Sequence, residues 1–334
     1  MNSLQNNYIL ADGRWHGQHG IGRFSTEVLA RLRHTDILNE GPNPLSLKNL
    51  VWQSWLLTRK RQHRVFFSPG FNPVLLSNIP FVFTIHDLIH LHIPGNAKTG
   101  KKLFYEMFIK PSAKKASKIL TVSDYSRQDI LNWTGLPAEQ VVVVGNGISA
   151  AFTPDGPRYE PGFPYLLHIG NAKDHKNVAR LVEAFAMANI DKNIRLICTG
   201  NLTGQILAII RKRGLENRVI SHTNLSEQQL SSYYRGALGV TFPSLFEGFG
   251  LPVLEGMASG VPVLTSDTTA LPEVAGDAAI LVDPYQVEAI AYGLEKLTND
   301  ASLRSRLIEK GLERAKLFSW DETARQIQQI LDGV

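Results

Sequence analysis

Short apolar runs alternate along the chain with longer stretches in which apolar residues recur every three or four positions. The first pattern is typical of buried strands and the second of amphipathic helices, so the alternation predicts an α/β fold with parallel sheets. Strands are expected at 8–11, 65–67, 81–85, 119–122 and 141–144, and then at 165–169, 194–199, 238–242, 261–265 and 279–282. Two doubly wound units in tandem follow from this pattern.

Residues that favour helix ends support the pattern in the second half. Asn177 is expected to cap the helix that follows it, and Ser226 with Gln229 has the spacing of a capping box. Pro252 suits the first turn of a helix that Gly260 can end. Helices are therefore predicted to begin close to the carboxyl ends of strands, which is where ligands bind in sheets of this kind.

The domain boundary is predicted from a segment without any hydrophobic period. Residues 153–164 contain four prolines and two glycines. A length of 334 residues suits two domains of roughly 150 residues each. We expect an N-terminal domain at 1–155, a linker at 156–164 and a C-terminal domain at 165–317, with a terminal helix at 318–334 that packs toward the first domain.

Composition narrows the class of protein. The hydrophobic share of 43% and the charged share of 19% are those of a globular chain. No apolar run approaches the ~20 residues that cross a bilayer, and residues 1–8 lack a signal-peptide core, so we expect a cytoplasmic location. The single cysteine, Cys198, excludes an internal disulfide framework and a cysteine-based zinc site.

The positive charge lies in the first half. Residues 1–157 carry 17 Lys/Arg and 10 Asp/Glu, and residues 158–334 carry 18 and 20, so the halves differ as +7 and −2. The basic residues concentrate in two groups, Arg59, Lys60, Arg61 and Arg64, and Lys98, Lys101, Lys102, Lys110, Lys114, Lys115 and Lys118. With Trp52 and Trp55 beside the first group, the pattern fits an anionic membrane face or an ordinary solvated surface. A nucleic-acid partner is not expected, because no aromatic-basic reading motif accompanies the charge.

Two loops in the second half carry candidate chemistry. The loop 170–176 places Lys176 beside a helix start, where backbone N–H groups favour an anion, although the spacing is not that of a P-loop. In the segment 243–255, Glu247 and Glu255 flank a glycine-rich strand-to-helix turn. We expect Glu255 on the first helical turn, accepting bonds from a ribose diol, and Glu247 pointing toward the group attached to the phosphate. Acids that merely favour a helix N-terminus would explain Glu255 but not the whole turn.

Two further elements lie in the first half. The glycine-rich stretch 17–23 follows a strand and precedes a helix, but its glycines lack the GxGxxG spacing, so a dinucleotide fingerprint is not supported. It remains plausible as a turn against a phosphate or a sugar. His86 and Asp87 follow the strand 81–85 at its carboxyl end, where a histidine can be functional or structural.

Together these segments resemble glycosyltransferase family 4, retaining enzymes with the GT-B fold. The resemblance covers nearly the whole chain. Within the family, the chain is most similar to bacterial mannosyl- or related deoxyhexosyltransferases of O-antigen or capsule synthesis. The matching segments are Pro243-Ser244 with the Glu-x7-Glu run from Glu247 to Glu255, Gly-Val-Pro-Val at 260–263, Leu-Pro-Glu-Val at 271–274, Lys176-Asn177, Thr-Val-Ser-x-x-Ser at 121–126, Asn146-Gly147, Phe318-Ser319-Trp320, Gly-Ile-Gly-Arg at 20–23 and Thr-Ile-His-Asp-Leu at 84–88.

The resemblance implies two Rossmann-like domains facing across a cleft, and a role for each matching residue. The implied catalytic residues are His86, Lys176 and Glu247. The implied donor-binding residues are Gly20, Gly22, Arg23, Gly170, Asn171, Lys176, Ser244, Glu247, Gly248, Phe249, Gly250, Leu251 and Glu255, and Asp87 and Ser123 are implied on the acceptor side. One departure is Asn171, because many members have an arginine soon after that glycine. Lys173, His175 and Arg23 are the candidates to compensate for it.

No Asp-x-Asp stands at a strand end to hold Mg²⁺ or Mn²⁺, so no metal or other cofactor is expected. The expected donor is a GDP-sugar, mannose or a deoxyhexose, with UDP and dTDP donors open, and the expected acceptor is a saccharide or a lipid-linked saccharide. A GT-B-fold epimerase or phosphorylase is the alternative enzyme class. A nucleotide-sugar-binding protein without catalysis is the third possibility.

Overall fold

The computed structural model describes residues 8–15, 17, 20–93 and 99–334. It divides into two compact units, Met1–Gly147 with Ser319–Val334, and Ile148–Phe318. The segment 156–164, which was expected as a linker, lies within the second unit. The Tyr159 ring stacks on Tyr233 with centroids 3.9 Å apart, and Arg235 donates to the carbonyl of Pro157 at 2.8 Å. These contacts attach the proline-rich segment to the unit that follows it.

Within its described residues, the first unit is built on a six-stranded parallel sheet of order β2-β1-β3-β4-β5-β6. The strands are β1 (Ile9–Asp12), β2 (Thr35–Leu38), β3 (Val65–Ser68), β4 (Phe81–Thr84), β5 (Lys118–Thr121) and β6 (Val141–Val143). The helices between them are α1 (Gly20–Leu29), α2 (Leu47–Arg59), α3 (Ile89–His92), α4 (Thr99–Phe104), a π-helical turn (Tyr105–Ile109), α5 (Lys110–Lys115), α6 (Asp124–Thr134) and a 3₁₀ turn (Ala138–Gln140). Phe66, Phe83 and Ile119 are fully buried in its core.

The second unit repeats the design, with a parallel sheet of order β12-β11-β10-β7-β8-β9. Its strands are β7 (Tyr165–His168), β8 (Arg195–Cys198), β9 (Val219–Ser221), β10 (Gly239–Phe242), β11 (Val263–Ser266) and β12 (Ala279–Val282). Its helices are a 3₁₀ turn (Asp174–Lys176), α7 (Val178–Met187), α8 (Gly204–Lys212), α9 (Glu227–Gly236), α10 (Leu251–Ala258), α11 (Leu271–Ala275), α12 (Val287–Asn299) and α13 (Ala301–Ala315). Leu166, Phe185 and Leu196 lie in its core.

Several predicted helix ends are confirmed. Ser226 and Gln229 form the reciprocal capping box of α9, and Pro252 lies in the first turn of α10. The last helix, α14 (Trp320–Asp332), belongs to the first unit. There the Trp320 ring meets Phe24 edge-on at 6.1 Å.

Within the part of the chain that the structure describes, no helix has both the length and the hydropathy that a bilayer span requires.

Candidate active site

Lys176 and Glu247, predicted from separate loops, meet in one place. The Lys176 Nζ atom lies 2.7 Å from Glu247 Oε1, and both side chains are largely buried. The two loops follow β7 and β10, which are neighbours in the sheet, so parallel strands deliver both side chains to the same edge. The ammonium also lies 4.8 Å from the centroid of the Phe242 ring at the end of β10. The site therefore holds a paired cation and carboxylate over an aromatic face.

Asn177 occupies the N-cap position of α7, as predicted, but its side chain joins the two loops instead of bonding to the helix. It occupies the position before α7 with a left-handed φ of 61°, and its side chain makes no capping hydrogen bond, so the predicted side-chain cap is wrong. The amide nitrogen donates to the carbonyls of Pro243 at 2.9 Å and Pro284 at 2.7 Å. Because each carbonyl comes from a different loop, the side chain fixes the position of Lys176, its neighbour in sequence, against β10.

The turn that carries Glu247 is held by hydrogen bonds from its own backbone N–H groups to neighbouring loops. The Leu245 N–H donates to the carbonyl of His175 at 2.7 Å, and the Glu247 N–H donates to Thr269 Oγ1 at 3.3 Å. Gly250 then adopts a φ of +111°, which side-chain-bearing residues rarely reach, and α10 begins at the next residue. The sequence Glu-Gly-Phe-Gly thus produces a sharp entry into α10. In its first turn Pro252 has no N–H and the Val253 N–H donates to the Gly250 carbonyl at 2.9 Å, so the Leu251 N–H is the donor there that can meet an anion.

Glu255 lies deeper than expected. Because α10 begins at Leu251, Glu255 falls in the second turn, and the prediction of the first turn is wrong. The residue is 3% exposed, and its Oε2 accepts a hydrogen bond from the Tyr234 hydroxyl at 2.7 Å. Its role toward a ribose stays a prediction.

Two buried histidines lie close to the ion pair. Burial lowers the pKa of both His168 and His175 to about 4, so both are neutral near pH 7. His168 Nδ1 lies 2.9 Å from the carbonyl oxygen of Thr241. A carbonyl only accepts, so Nδ1 carries the proton of the neutral ring. The lowered pKa leaves His175 neutral near pH 7, and its role beside Asn171 stays a prediction.

The remaining donor-side residues of the second unit follow the same two strands. Gly170 has a φ of +130°, its N–H donates to Thr199 Oγ1 at 3.2 Å, and Asn171 beside it is exposed. Ser244 is buried, and its carbonyl accepts from the Ser266 hydroxyl at 2.6 Å. Gly248 and Phe249 lie in the turn between Glu247 and Gly250, and Leu251 is the first residue of α10.

The glycine-rich candidates of the first unit open a helix. Gly20, Gly22 and Arg23 lie in the first turn of α1, where Gly22 is buried and Arg23 is half-buried. Gln18 and His19 of the predicted loop, and Lys98 of the basic group, lie outside the described residues. The predicted contact of this turn with phosphates stays a prediction.

His86, Asp87 and Ser123 come together at the ends of β4 and β5. His86 Nε2 lies 2.9 Å from the Pro69 carbonyl, and the Ser126 hydroxyl donates to the His86 carbonyl at 3.0 Å. Ser123 caps α6 by accepting from the Ser126 N–H at 3.1 Å, and Asp87 accepts from the Ile89 N–H at 3.0 Å. All three therefore have structural contacts in the first unit, whereas Lys176 and Glu247 belong to the second.

Within the described ranges, no group of three or more His, Cys, Asp or Glu side chains is arranged to hold a metal ion.

Three residues at the site, Phe242, Thr269 and Tyr234, were not predicted from the sequence. Phe242 and Thr269 could have been found, because each stands at or just after the carboxyl end of a strand beside a predicted turn. Thr269 adopts a left-handed φ of 59° while it receives the Glu247 N–H. Tyr234 reaches Glu255 from α9, and no local pattern indicates that contact.

Two family models match the chain. The model described as Glycosyltransferase Family 4 matches residues 22–152, and the model described as Glycosyl transferases group 1 matches residues 156–314. O-antigen chain mannosyltransferase B of Escherichia coli is 31% identical over 314 residues, which cover 90% of this chain and 81% of that protein. MMP alpha-(1->4)-mannosyltransferase of Mycolicibacterium hassiacum is 32% identical over 222 residues, which cover 64% of this chain and 53% of that protein.

Solved structures share the architecture at lower identity. Sucrose-phosphate synthase from Thermosynechococcus elongatus superimposes with a TM-score of 0.79 at 18% identity, covering 98% of each chain. The Anabaena protein HepE, in complex with UDP and glucose, superimposes with a TM-score of 0.77 at 16% identity, covering 98% of this chain and 100% of that one. At these identities the likeness concerns the fold, and it confirms the predicted pair of Rossmann-like α/β domains.

Proposed function

The chain belongs to glycosyltransferase family 4 and has the GT-B fold, and from this premise we propose that it transfers mannose or a related deoxyhexose. The donor is a nucleotide-diphosphate sugar, and the acceptor is a saccharide or a lipid-linked saccharide of a surface polysaccharide. The observation that carries the proposal is the contact of Lys176 with Glu247 at 2.7 Å, beside the first turn of α10. A cation for a diphosphate and a carboxylate for a sugar thus lie side by side.

The proposed mechanism uses this charge arrangement. The bond between the anomeric carbon and the diphosphate oxygen breaks with its electron pair going to the diphosphate, while the sugar becomes oxocarbenium-like. Lys176, the Leu251 N–H and the positive end of the α10 helix dipole stabilise the charge that develops on the leaving group. The acceptor oxygen bonds to the anomeric carbon on the face that the diphosphate leaves, and its proton passes to a diphosphate oxygen. Retention of configuration is taken from the family.

Glu247 and the first-unit residues complete the proposal. Glu247 accepts hydrogen bonds from hydroxyl groups of the transferred sugar once Lys176 turns to the diphosphate, and Glu255 accepts hydrogen bonds from the ribose hydroxyls. Gly20, Gly22 and Arg23 contact the donor phosphates, His86 contacts the donor sugar, and Asp87 and Ser123 line the acceptor side. Each role follows the family motif at that position.

The transferase is favoured over an epimerase, a phosphorylase or a non-catalytic binding protein. The relative that covers 90% of the chain is named an O-antigen chain mannosyltransferase, and further relatives carry mannosyltransferase names. These names support a mannosyl donor. A cytoplasmic location stays a prediction.

The donor base can be tested by ligand-induced stabilisation. Since the proposed donor is a GDP-sugar, we expect GDP to raise the Tm of the purified chain more than UDP, dTDP or ADP. A ligand at 100 times its Kd stabilises the folded state by about 2.7 kcal/mol, which is large enough to measure. Differential scanning fluorimetry of the four nucleotides measures the ranking. A larger shift with UDP or dTDP would reassign the donor, and no shift with any of them would contradict the donor site.

Transfer is expected to be insensitive to metal chelation. Lys176 and the start of α10 supply the positive charge that a divalent ion would otherwise provide, so EDTA should leave kcat within about twofold of its value without chelator. Product formation from radiolabelled donor, before and after EDTA, measures this. A strict dependence on added Mg²⁺ or Mn²⁺ would overturn the proposed charge arrangement.

A further inference from the structure

Helix α2 carries a row of exposed apolar side chains. Leu47, Val51 and Trp55 are spaced four residues apart, which places them on one helical face. They are 63%, 71% and 52% exposed. The opposite face of the helix is buried in the first unit, through Leu50, Leu57 and neighbouring residues. The helix therefore packs on the sheet with one apolar face and presents a second apolar face to the surroundings.

Of the two tryptophans in this helix, Trp55 is the outward one. The Trp52 ring is half-buried, with the Arg14 guanidinium 4.8 Å from its centroid and Gly41 packed against it. Trp55 is half exposed, and the Arg59 guanidinium lies 4.3 Å from its ring centroid. Trp52 thus belongs to the internal packing, and the exposed row ends in a tryptophan covered by a cation.

The lysines and arginines that flank the row in sequence are not accompanied by acidic residues. Between Glu40 and Asp87 the sequence contains five basic residues and no acidic one, and the five are Lys48, Arg59, Lys60, Arg61 and Arg64. Lys48 follows the first residue of the row, and 59–61 follow its last residue. Long basic side chains beside exposed apolar groups suit a boundary that is apolar at the centre and negatively charged at the rim.

The combination of exposed apolar and basic side chains extends from α2 to α5. The Leu76 N–H donates to Ser54 of α2 at 3.3 Å, and Lys115 of α5 donates to the adjacent Leu75 carbonyl at 3.2 Å. Leu76, which is 65% exposed, therefore lies between the two helices. Lys114 and Lys115 are both exposed at the end of α5, and no acidic residue occurs between Glu106 and Asp124. The apolar row is thus bordered by lysines on a second side.

We propose that this face, defined by Leu47, Val51, Trp55 and Leu76 with the flanking lysines and arginines, docks on an anionic phospholipid bilayer. The apolar side chains enter the boundary between headgroups and acyl chains, and the cations meet lipid phosphates. Charge complementarity selects this occupant, because the segments that form the face, within 41–86 and 107–123, contain lysines and arginines but no Asp or Glu that could pair with the cations of a mixed-charge protein surface. The inference does not depend on which sugar the enzyme transfers.

Vesicle flotation of the full chain tests the proposal. We expect binding to vesicles of phosphatidylcholine mixed with phosphatidylglycerol, weak binding to pure phosphatidylcholine, and loss of binding at high salt. Val51→Asp should lower the partition coefficient by about tenfold or more, since it puts a charge at the centre of the row. The triple variant Arg59→Gln, Lys60→Gln, Arg61→Gln should lower it by about a hundredfold, at about fivefold for each cation lost.

The chain offers matched controls in the second unit. Arg211, Lys212 and Arg213 form the same Arg-Lys-Arg sequence, and the exposed Tyr292 has Lys296 4.4 Å from its ring centroid, as Trp55 has Arg59. If binding depends on α2 rather than on general charge, the triple variant Arg211→Gln, Lys212→Gln, Arg213→Gln and the single variant Tyr292→Ala should each bind vesicles within about twofold of the unmodified chain. Equal loss in both sets would overturn the proposal, and so would absence of anionic-vesicle binding.

Measurements of oligomeric state, folding and transfer activity distinguish lipid docking from dimer formation and from loss of structure. A dimer in size-exclusion light scattering that Val51→Asp dissociates, without vesicle binding, would assign the face to a second copy of the chain and overturn the lipid proposal. Thermal melts of each variant establish that it is folded. Transfer to a water-soluble acceptor should be unchanged in the α2 variants, so failure of docking and failure of the proposed enzyme activity give different results.

Discussion

Glu247→Gln is expected to lower kcat for glycosyl transfer by about a hundredfold or more, while the affinity for nucleoside diphosphate stays unchanged or rises. The carboxylate is proposed to accept hydrogen bonds from sugar hydroxyls and to face the positive charge of the oxocarbenium-like sugar, so its loss acts on the transition state. Its partner Lys176, now held at 2.7 Å, is released toward the diphosphate, which favours nucleotide binding. Transfer kinetics and calorimetric titration with the nucleotide measure the two effects separately.

The shape-matched glutamine keeps the volume of the side chain, and Glu247→Ala provides the complete removal. Both variants should lose transfer by a similar factor, because the charge and not the packing carries the effect. Glu273→Gln, in α11 of the same unit, is the control and should leave kcat within about twofold. Equal losses of transfer and nucleotide affinity in Glu247→Gln would contradict its assignment to the sugar.

The strands could be predicted wherever burial makes a continuous apolar run. All four residues of β3 are buried, and the pattern placed that strand within one residue. In β2, an edge strand paired only with β1, Asp36 and Ile37 are exposed, so no apolar run marks it. The short edge strand β9, Val219–Ser221, was missed because it has one buried residue. Edge strands with a polar face carry little hydrophobic signal.

The site residues could be predicted by type and spacing, whereas their contacts could not. A helix start after one strand indicated Lys176, and a glycine-rich turn after another indicated Glu247. The pairing of β7 with β10, which brings them together, joins segments about 70 residues apart. The depth of Glu255 depends on Gly250, whose left-handed backbone sets the start of α10. Asparagine is a residue type that favours helix N-caps, yet the Asn177 side-chain amide donates to two carbonyls that are distant in sequence. Long-range partners of this kind are absent from any local pattern.

Lys176→Ala is expected to reduce kcat by about tenfold to a few hundredfold, because a charge-assisted contact to the leaving diphosphate is worth about 1.5–3 kcal/mol. Unlike the change at Glu247, it should also weaken nucleoside diphosphate binding. The variant removes the cation and leaves the Glu247 carboxylate, whose side chain is 14% exposed, without its Lys176 partner beside the proposed phosphate site. Steady-state kinetics and nucleotide titration measure both losses.

The double variant Lys176→Ala, Glu247→Gln distinguishes lost attraction from new repulsion. If the unpaired carboxylate repels the diphosphate, the double variant should bind nucleotide more tightly than Lys176→Ala alone, although it transfers no sugar at a useful rate. Lys173→Ala removes an exposed charge from the same loop and should have a smaller effect on nucleotide affinity than Lys176→Ala. An equal loss from Lys173→Ala would contradict a specific role for Lys176, and it would identify Lys173 as the residue that replaces the arginine missing beside Gly170. Because His175 is neutral near pH 7, none of these differences should depend on its protonation.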